Sequence, residues 1–146
     1  AESVIAKSTA YRINNRDAYN AYRRTLRAKK MKSDPNYRLR RILRTRLYNA
    51  LFEQEQSTAK KVGSAIEQLG CTIDELRVYL EARFQPGMTW DNHGQWHLDH
   101  IKPLAAYDLT VLEQFSAACH YSNLQPLWAL DNLVKGTTWE GDELPF

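Results

Sequence analysis

The chain has 146 residues, of which 43% are hydrophobic and 25% are charged, a composition that is ordinary for a soluble globular protein. No apolar run approaches the roughly 20 residues that a membrane span needs, and residues 1–10 lack the apolar core of a signal peptide. We therefore expect a cytoplasmic protein with no membrane partner, built as one domain or as a small domain with an appendage.

Charge is divided unequally along the chain. Residues 1–61 hold 16 Lys and Arg against 5 Asp and Glu, a net charge of +11, whereas residues 62–146 hold 4 against 12, a net charge of −8. A basic half joined to an acidic half predicts a polyanion-binding arm on a second module. The two cysteines, Cys71 and Cys119, form no Cys-x-x-Cys pair, which excludes a zinc knuckle of paired cysteines. They are predicted to be reduced, buried thiols, with a disulfide between them as the alternative.

The first third of the chain is predicted to be helical and basic. Residues 1–15 have weak periodicity, and residues 16–32 are compatible with a helix that has a thin apolar stripe. Asp34 and Pro35 predict the start of a second helix, over residues 35–55. One face of this helix is apolar, and the other presents arginines without acidic partners nearby, which favours contact with phosphate. These arginines are Arg38, Arg40, Arg41, Arg44 and Arg46.

The middle of the chain is predicted to consist of short supporting helices. Residues 54–60 are typical of a polar linker, and a short helix over residues 61–69 is expected to end at Gly70. Thr72 and Glu75 have the spacing of a capping box, which predicts a helix from there to about residue 84. Residues 85–94 are predicted to be a loop because they contain Pro-Gly and Asn-x-Gly.

The C-terminal part is predicted to contain two short strands and two helices. The first strand covers residues 95–101, a helix covers residues 110–120, and the second strand covers residues 123–127. A short helix over residues 129–135 is expected to stop at Gly136. Residues 137–146 are polar and acidic, and we expect them to be loosely attached.

Asp99 and His100 are neighbours in the first of these strands and carry the most suggestive chemistry. A carboxylate is a hard oxygen ligand suited to Mg²⁺ or Mn²⁺, and a neutral imidazole takes a proton from water near neutral pH. Neighbours in a regular strand point to opposite faces. The two side chains therefore serve one site only where the strand ends or is distorted, which Pro103 favours. Taken alone, the pair also fits a structural histidine with its partner acid.

The second strand and the helix after it add three polar residues. Asn132 follows the strand on a helix, where its amide oxygen would complete a two-residue metal site with Asp99 and leave positions for water and phosphate. Lys135, three residues later, lies on nearly the same face and is expected to meet a phosphate. Asn123 lies at the start of the strand, where its side chain can bridge backbone groups and hold a loop. His97 lies two residues before Asp99 and is expected either to touch phosphate or to make a structural hydrogen bond.

These two stretches resemble the HNH endonucleases of the phage-associated type. The resemblance rests on Trp-His-Leu-Asp-His-Ile-Lys-Pro-Leu over residues 96–104, Asn-Leu-Gln-Pro-Leu-Trp over residues 123–128 and Asn-Leu-x-Lys-Gly over residues 132–136. The last residue of the HNH motif is an asparagine in this chain, Asn132, rather than a histidine. The likeness is dense over about residues 96–136, and residues 1–32 carry none. Paired cysteines that support the core in many members are absent, so packing, by Trp90, Trp96 and Trp128 among others, would have to hold the hairpin.

The resemblance implies a fold, a cofactor and roles for the residues. The fold is α+β: a mostly helical chain with a C-terminal ββα-metal core of hairpin and helix. Asp99 and Asn132 would hold one Mg²⁺ or Mn²⁺, His100 would be the general base, and Asn123 would orient the loop that carries it. The partner would be DNA, cut to 5′-phosphate and 3′-hydroxyl ends in a bacterial or phage-infected cell. The basic charge of the first half, rather than the resemblance, predicts that residues 1–56 form a helical DNA-binding arm, and residues 57–146 would be the nuclease domain, with its core at about residues 95–136.

Two other functions stay open from the sequence. One is a DNA-binding or phage-packaging accessory protein with a vestigial nuclease fold; intact Asp99, His100 and Asn132 argue against it. The other is a nuclease toxin that also degrades RNA. The sequence leaves open whether the protein is a monomer, which would nick one strand, or a homodimer, which could cut both.

Overall fold

The computed structural model describes residues 3–54 and 64–142 and divides the chain into two compact units, residues 1–34 and residues 35–146. The first unit contains helix α1 (Val4–Asn14) and helix α2 (Arg16–Ser33), and neither helix has a buried residue. Helix α2 confirms the helix predicted over residues 16–32. Helix α1 was not predicted because it has no apolar stripe; it is capped by the Ser3 hydroxyl, which accepts a hydrogen bond from the Ala6 amide.

The second unit combines helices with one hairpin. Its elements are α3 (Pro35–Glu53), α4 (Ile73–Glu81), β1 (Trp96–His100), α5 (Leu112–Cys119), β2 (Leu124–Trp128) and α6 (Ala129–Lys135). Short 3₁₀ turns cover Glu67–Leu69, Leu104–Ala106, Tyr121–Asn123 and Glu140–Asp142. Within the described residues the chain therefore has six α-helices and a two-stranded sheet, which confirms a mostly helical chain of mixed α and β structure.

Helix α3 belongs to the second unit, so the observed boundary lies at residues 34 and 35 rather than near residue 56. Leu39, Leu43 and Leu47 of α3 are almost completely buried, in the same hydrophobic core as Leu98 of β1 and Phe115 of α5. Burial of this leucine stripe is the main reason for the difference, because a helix that supplies the core cannot be a separate arm.

Local signals around residue 70 fix the entry into α4. The Thr72 hydroxyl accepts from the Glu75 amide and the Glu75 carboxylate accepts from the Thr72 amide, which confirms the predicted capping box. Gly70 has a φ of +77°, and a Cβ on it would lie 2.6 Å from Nε2 of His120. The helix predicted before it is a 3₁₀ turn in its described part, Glu67–Leu69, and residues 55–63 lie outside the described residues. Helix α4 ends at Glu81, earlier than predicted.

The hairpin is antiparallel, with Trp96 opposite Trp128 and His100 opposite Leu124. Its base is packed by aromatic side chains: Trp96 is fully buried and its ring centroid lies 5.0 Å from that of Phe84 and 5.4 Å from that of Trp90. This confirms the predicted support by Trp90 and Trp96. The hairpin and α6 follow the predicted strands and helix closely, and α6 starts directly after β2.

Two further expectations concern the cysteines and the membrane. Cys71 and Cys119 are free thiols, and burial raises the pKa of Cys119 to about 11.

No helix among residues 3–54 and 64–142 is long and apolar enough to cross a membrane.

Candidate active site

A cleft of about 440 Å³ lies within the second unit, between α3, the end of β1 and α6. Its lining includes five of the residues singled out from the sequence around the two motifs: His97, Asp99, His100, Asn132 and Lys135. Arg46, Asn49 and Glu53 of α3 contribute to the opposite wall. The fold therefore brings the two motifs together in one concave site.

The end of strand β1 explains how Asp99 and His100 both line this cleft. His100 is the last residue of β1: the Ile101 amide still donates to the Asn123 carbonyl, and the chain then bends at Ile101 and Lys102. Both side chains are buried, with 5% and 7% of each residue exposed. The rule that neighbouring side chains point to opposite faces does not hold strictly at the last residue of a strand. Asp99 and His100 need such a strand end in order to share one site.

Asp99 is surrounded by hydrogen-bond donors and positive charge. Gln125, its partner across the hairpin, donates Nε2 to Oδ2 at 2.9 Å. Lys135 places Nζ 3.3 Å from Oδ1 and 3.2 Å from Oδ2. Burial lowers the pKa of Arg46 on the facing helix, and the charge of Asp99 acts in the opposite direction. The Asp99 carboxylate is thus paired with donors and positive charge from β2 and α6.

Lys135 is placed differently from the expectation that it meets a phosphate. Its ammonium group is engaged with Asp99, and it also donates to the main-chain carbonyl of His100 at 2.9 Å. The reason is the path of α6, which begins directly after β2 and brings its last turn back to the end of β1. In this structure Lys135 is a counter-ion of the carboxylate, not a free cation.

His100 is a neutral imidazole at neutral pH. Burial, followed by the charges of Arg46 and Lys135, lowers its pKa from the usual 6.5 to about 4. Its ring makes no hydrogen bond to another described residue, and it lines the cleft. A neutral ring with a nitrogen lone pair that no protein donor occupies is able to accept a proton from a bound water.

Asn123 holds the backbone that follows His100. Its Oδ1 accepts from the Lys102 amide at 2.9 Å, and its Nδ2 donates to the Lys102 carbonyl at 3.0 Å and to the Ala118 carbonyl at 3.1 Å. The side chain is buried and ties the loop after β1 to the end of α5. The bridge between backbone groups that the sequence predicted is present, and it acts directly beside the candidate base.

Asn132 and His97 face each other across the same cleft. Nδ2 of Asn132 lies 3.0 Å from Nδ1 of His97, so His97 makes the structural hydrogen bond, one of its two expected roles. With Nδ2 in this contact, Oδ1 of Asn132 accepts no hydrogen bond within the described part of the chain. This amide oxygen is therefore left available to a ligand.

The residues present fit a divalent cation of the hard type. The carboxylate of Asp99 and the amide oxygen of Asn132 are the oxygen donors that Mg²⁺ and Mn²⁺ favour, and the cleft has room for the waters that Mg²⁺ retains. Among residues 3–54 and 64–142, no three His, Cys, Asp or Glu side chains are grouped to hold a metal ion. A cation bound here would have two protein ligands, and the ammonium of Lys135 would have to leave Asp99.

The arginines predicted to contact phosphate have four different placements. Arg40 and Arg44 are exposed on α3, Arg41 is half-buried, and Arg46 lines the cleft. Arg38 departs from the prediction: it is buried, and its Nη1 donates to the Trp90 carbonyl at 2.8 Å. Its position one residue before Leu39 turns it toward the aromatic base of the hairpin, because helix residues on the edge of the apolar face are drawn into the core.

Gln125 and His93 were not identified from the sequence. Gln125 lies opposite Asp99 in the hairpin register, so pairing the two motif strands residue by residue would have found it. The His93 ring stacks on Trp96 with centroids 4.0 Å apart. Burial and then the charges of Arg38, His97 and Arg46 lower its pKa to about 4. Nothing in the loop sequence around His93 indicates that its ring stacks on Trp96.

Comparison with known proteins leaves the chain without an assigned family. It is 35% identical over 113 residues to one uncharacterized protein of Acanthamoeba polyphaga mimivirus and 35% identical over 114 residues to a second. Each match covers 77% of this chain and 48% of the viral protein, so the chain spans about half the length of the curated relatives it matches. No family model matches the chain, and no solved structure matches it.

Proposed function

We propose that this chain is an HNH-type endonuclease that hydrolyses DNA phosphodiester bonds with one bound Mg²⁺ or Mn²⁺. The observation that carries the proposal is the meeting of Asp99, His100 and Asn132 in one cleft at the end of a hairpin that runs directly into a helix. This order of strand, strand and helix supports the proposal, because it is the order that the ββα-metal fold implied by the sequence resemblance would have.

His100 supplies the base for the reaction. Its ring takes a proton from a water molecule in the cleft, and the oxygen of that water attacks phosphorus in line with the leaving 3′ oxygen. The P–O3′ bond breaks as the new P–O bond forms, and the leaving oxygen gains a proton, giving a 5′-phosphate and a 3′-hydroxyl. Because its pKa is about 4, the imidazole is unprotonated at neutral pH, which is the form that a general base requires.

Asp99 and Asn132 would hold the cation, through one carboxylate and one amide oxygen. When bound, the ion stabilises the negative charge that accumulates on the phosphate and the leaving oxygen. Gln125 fixes the orientation of the Asp99 carboxylate from the neighbouring strand. Asn123 is a positioning residue, since it touches only the backbone around the loop that follows His100.

Helix α2 supports DNA as the partner. It carries seven basic residues against one acidic residue, and Arg23, Arg24 and Arg27 are all exposed. The exposed Arg40 and Arg44 of α3 add to this charge in the second unit. Such arginines neutralise backbone phosphates and bind without reading base sequence.

Incubation with end-labelled DNA and RNA duplexes in Mg²⁺ or Mn²⁺ tests the proposal. We expect cleavage of DNA that stops when EDTA is added, and DNA ends that a ligase rejoins, because ligation requires a 5′-phosphate and a 3′-hydroxyl. Ends that carry a 3′-phosphate would contradict the mechanism. Faster cleavage of RNA would instead favour the toxin reading.

The ion pair between Lys135 and Asp99 favours the second candidate, a DNA-binding or packaging accessory protein. A cleft whose carboxylate is already neutralised by a lysine is complete without a metal. This protein would bind DNA through its basic helices and cleave nothing. Binding of DNA by a folded chain that takes up neither Mg²⁺ nor Mn²⁺ would establish this alternative.

A further inference from the structure

Lys135 occupies the carboxylate at which the proposed cation would bind. Its side chain is 16% exposed and that of Asp99 is 6% exposed, so the pair is largely removed from water. The ammonium has three N–H groups, and it lies within 3.3 Å of both Asp99 oxygens and 2.9 Å from the His100 carbonyl. Two of its N–H groups therefore donate hydrogen bonds to the protein, and the second carboxylate oxygen lies within ion-pair distance.

We propose that Lys135 is a resident counter-ion of Asp99, which a divalent cation must displace before it binds. This inference rests on the proposed function, because it concerns the same site. A cation and the ammonium repel each other at the few ångströms that separate ligands of one carboxylate. Lys135 therefore lowers the affinity for metal of the DNA-free protein.

The structure gives the displaced side chain somewhere to go. Lys135 is the last residue of α6, and its side chain lines the open cleft. The flexible stem of lysine can therefore swing from Asp99 into the cleft. The charge that leaves the carboxylate then lies in the cleft, beside the position of a phosphate, so metal and DNA favour each other's binding.

A calorimetric titration of the DNA-free protein with Mn²⁺ tests this inference. We expect Lys135→Gln to bind Mn²⁺ about tenfold more tightly than the wild type, because the competing charge is gone. We expect Lys135→Arg to bind more weakly than the wild type, since a guanidinium holds both carboxylate oxygens in a fork. The opposite signs of the two changes separate competition from general damage, and Lys135→Arg keeps the charge that the buried carboxylate needs for folding.

Two further variants complete the experiment. Lys102→Gln is the matched control: Lys102 Nζ lies over the rings of Tyr107 and Trp139, not on Asp99, and we expect unchanged Mn²⁺ affinity. Asp99→Asn should abolish binding. If the wild type binds Mn²⁺ through Asp99 and Lys135→Gln binds no more tightly, the inference about Lys135 is wrong while the proposed function stands. If neither the wild type nor Lys135→Gln binds Mn²⁺, both the metal site and the inference are wrong.

Discussion

Asn123 makes three side-chain hydrogen bonds to main-chain groups, two of them to Lys102, which follows His100 by two residues. Each of these main-chain groups would lose its partner if the amide were removed. The position of the candidate base is therefore coupled to the local stability of the hairpin. A residue of this kind acts on catalysis through geometry and contributes no chemistry of its own.

Replacement of Asn123 by alanine should lower both stability and activity. We expect a loss of about 2–3 kcal/mol in the free energy of unfolding, because buried main-chain groups are left without partners. We also expect kcat to fall more than DNA binding, since the loop beside His100 shifts. Urea unfolding and single-turnover cleavage measure the two effects. Thr45→Ala, at an exposed position of α3 that does not line the cleft, is the control; an Asn123→Ala variant as stable and active as this control would contradict the assigned role.

At the level of elements, the charge on α2 has a consequence for binding. The helix holds seven basic residues, and none of its residues is buried. Its exposed basic surface, rather than packing in a core, therefore determines what it binds. Phosphate contacts release counter-ions, and affinity then falls steeply as the salt concentration rises.

Removal of Arg23 and Arg27 should therefore weaken the salt dependence of DNA binding. For the double alanine variant we expect the slope of log K against log salt to become shallower by about 0.9 for each lost phosphate contact. Fluorescence anisotropy with a labelled duplex in EDTA measures binding without cleavage. Thr25→Ala on the same helix removes no charge and should leave the slope unchanged. An unaltered slope in the double variant would exclude α2 from the DNA interface.

Elements with a complete local signal could be predicted from the sequence. The capping box of Thr72 and the short strand that ends near Pro103 are fixed by residues a few positions apart, so their geometry follows from local chemistry. The ion pair between Lys135 and Asp99 joins residues 36 positions apart. It depends on how α6 returns over β1, which no local pattern encodes. Helix α1 was missed for the opposite reason, since it has helix-compatible residues but no buried face.

At the scale of the whole molecule, the second unit has a hydrophobic core and two histidines that are neutral in the folded state. His93 and His100 both have a pKa of about 4, against the usual 6.5, with burial as the largest cause. Nδ1 of His93 is buried without a hydrogen-bond partner in the described part of the chain. Protonation of either ring would place a charge where the fold provides little solvation.

Acid should therefore destabilise the metal-free protein. Below pH 6.5 the unfolded chain binds protons that the folded chain does not, so the free energy of unfolding falls as the pH drops from about 6.5 to about 4. Urea titrations in EDTA at several pH values measure this slope. His93→Phe keeps a ring against Trp96 and removes one titrating group, so its profile should be shallower. If the free energy of unfolding of the wild type stays constant or rises as the pH is lowered from about 6.5 to about 4, neither histidine is neutral in the folded state.

The central claim, that Asp99, His100 and Asn132 form a nuclease centre, is tested most directly by cleavage of supercoiled plasmid in Mg²⁺ or Mn²⁺. We expect conversion to open circle by a monomer, or to linear DNA by a homodimer, with loss of activity in EDTA. His100→Ala should be slower by at least about 100-fold while remaining folded and able to bind DNA. No cleavage by folded, DNA-binding wild type with either ion, or cleavage by His100→Ala at the wild-type rate, would contradict the account.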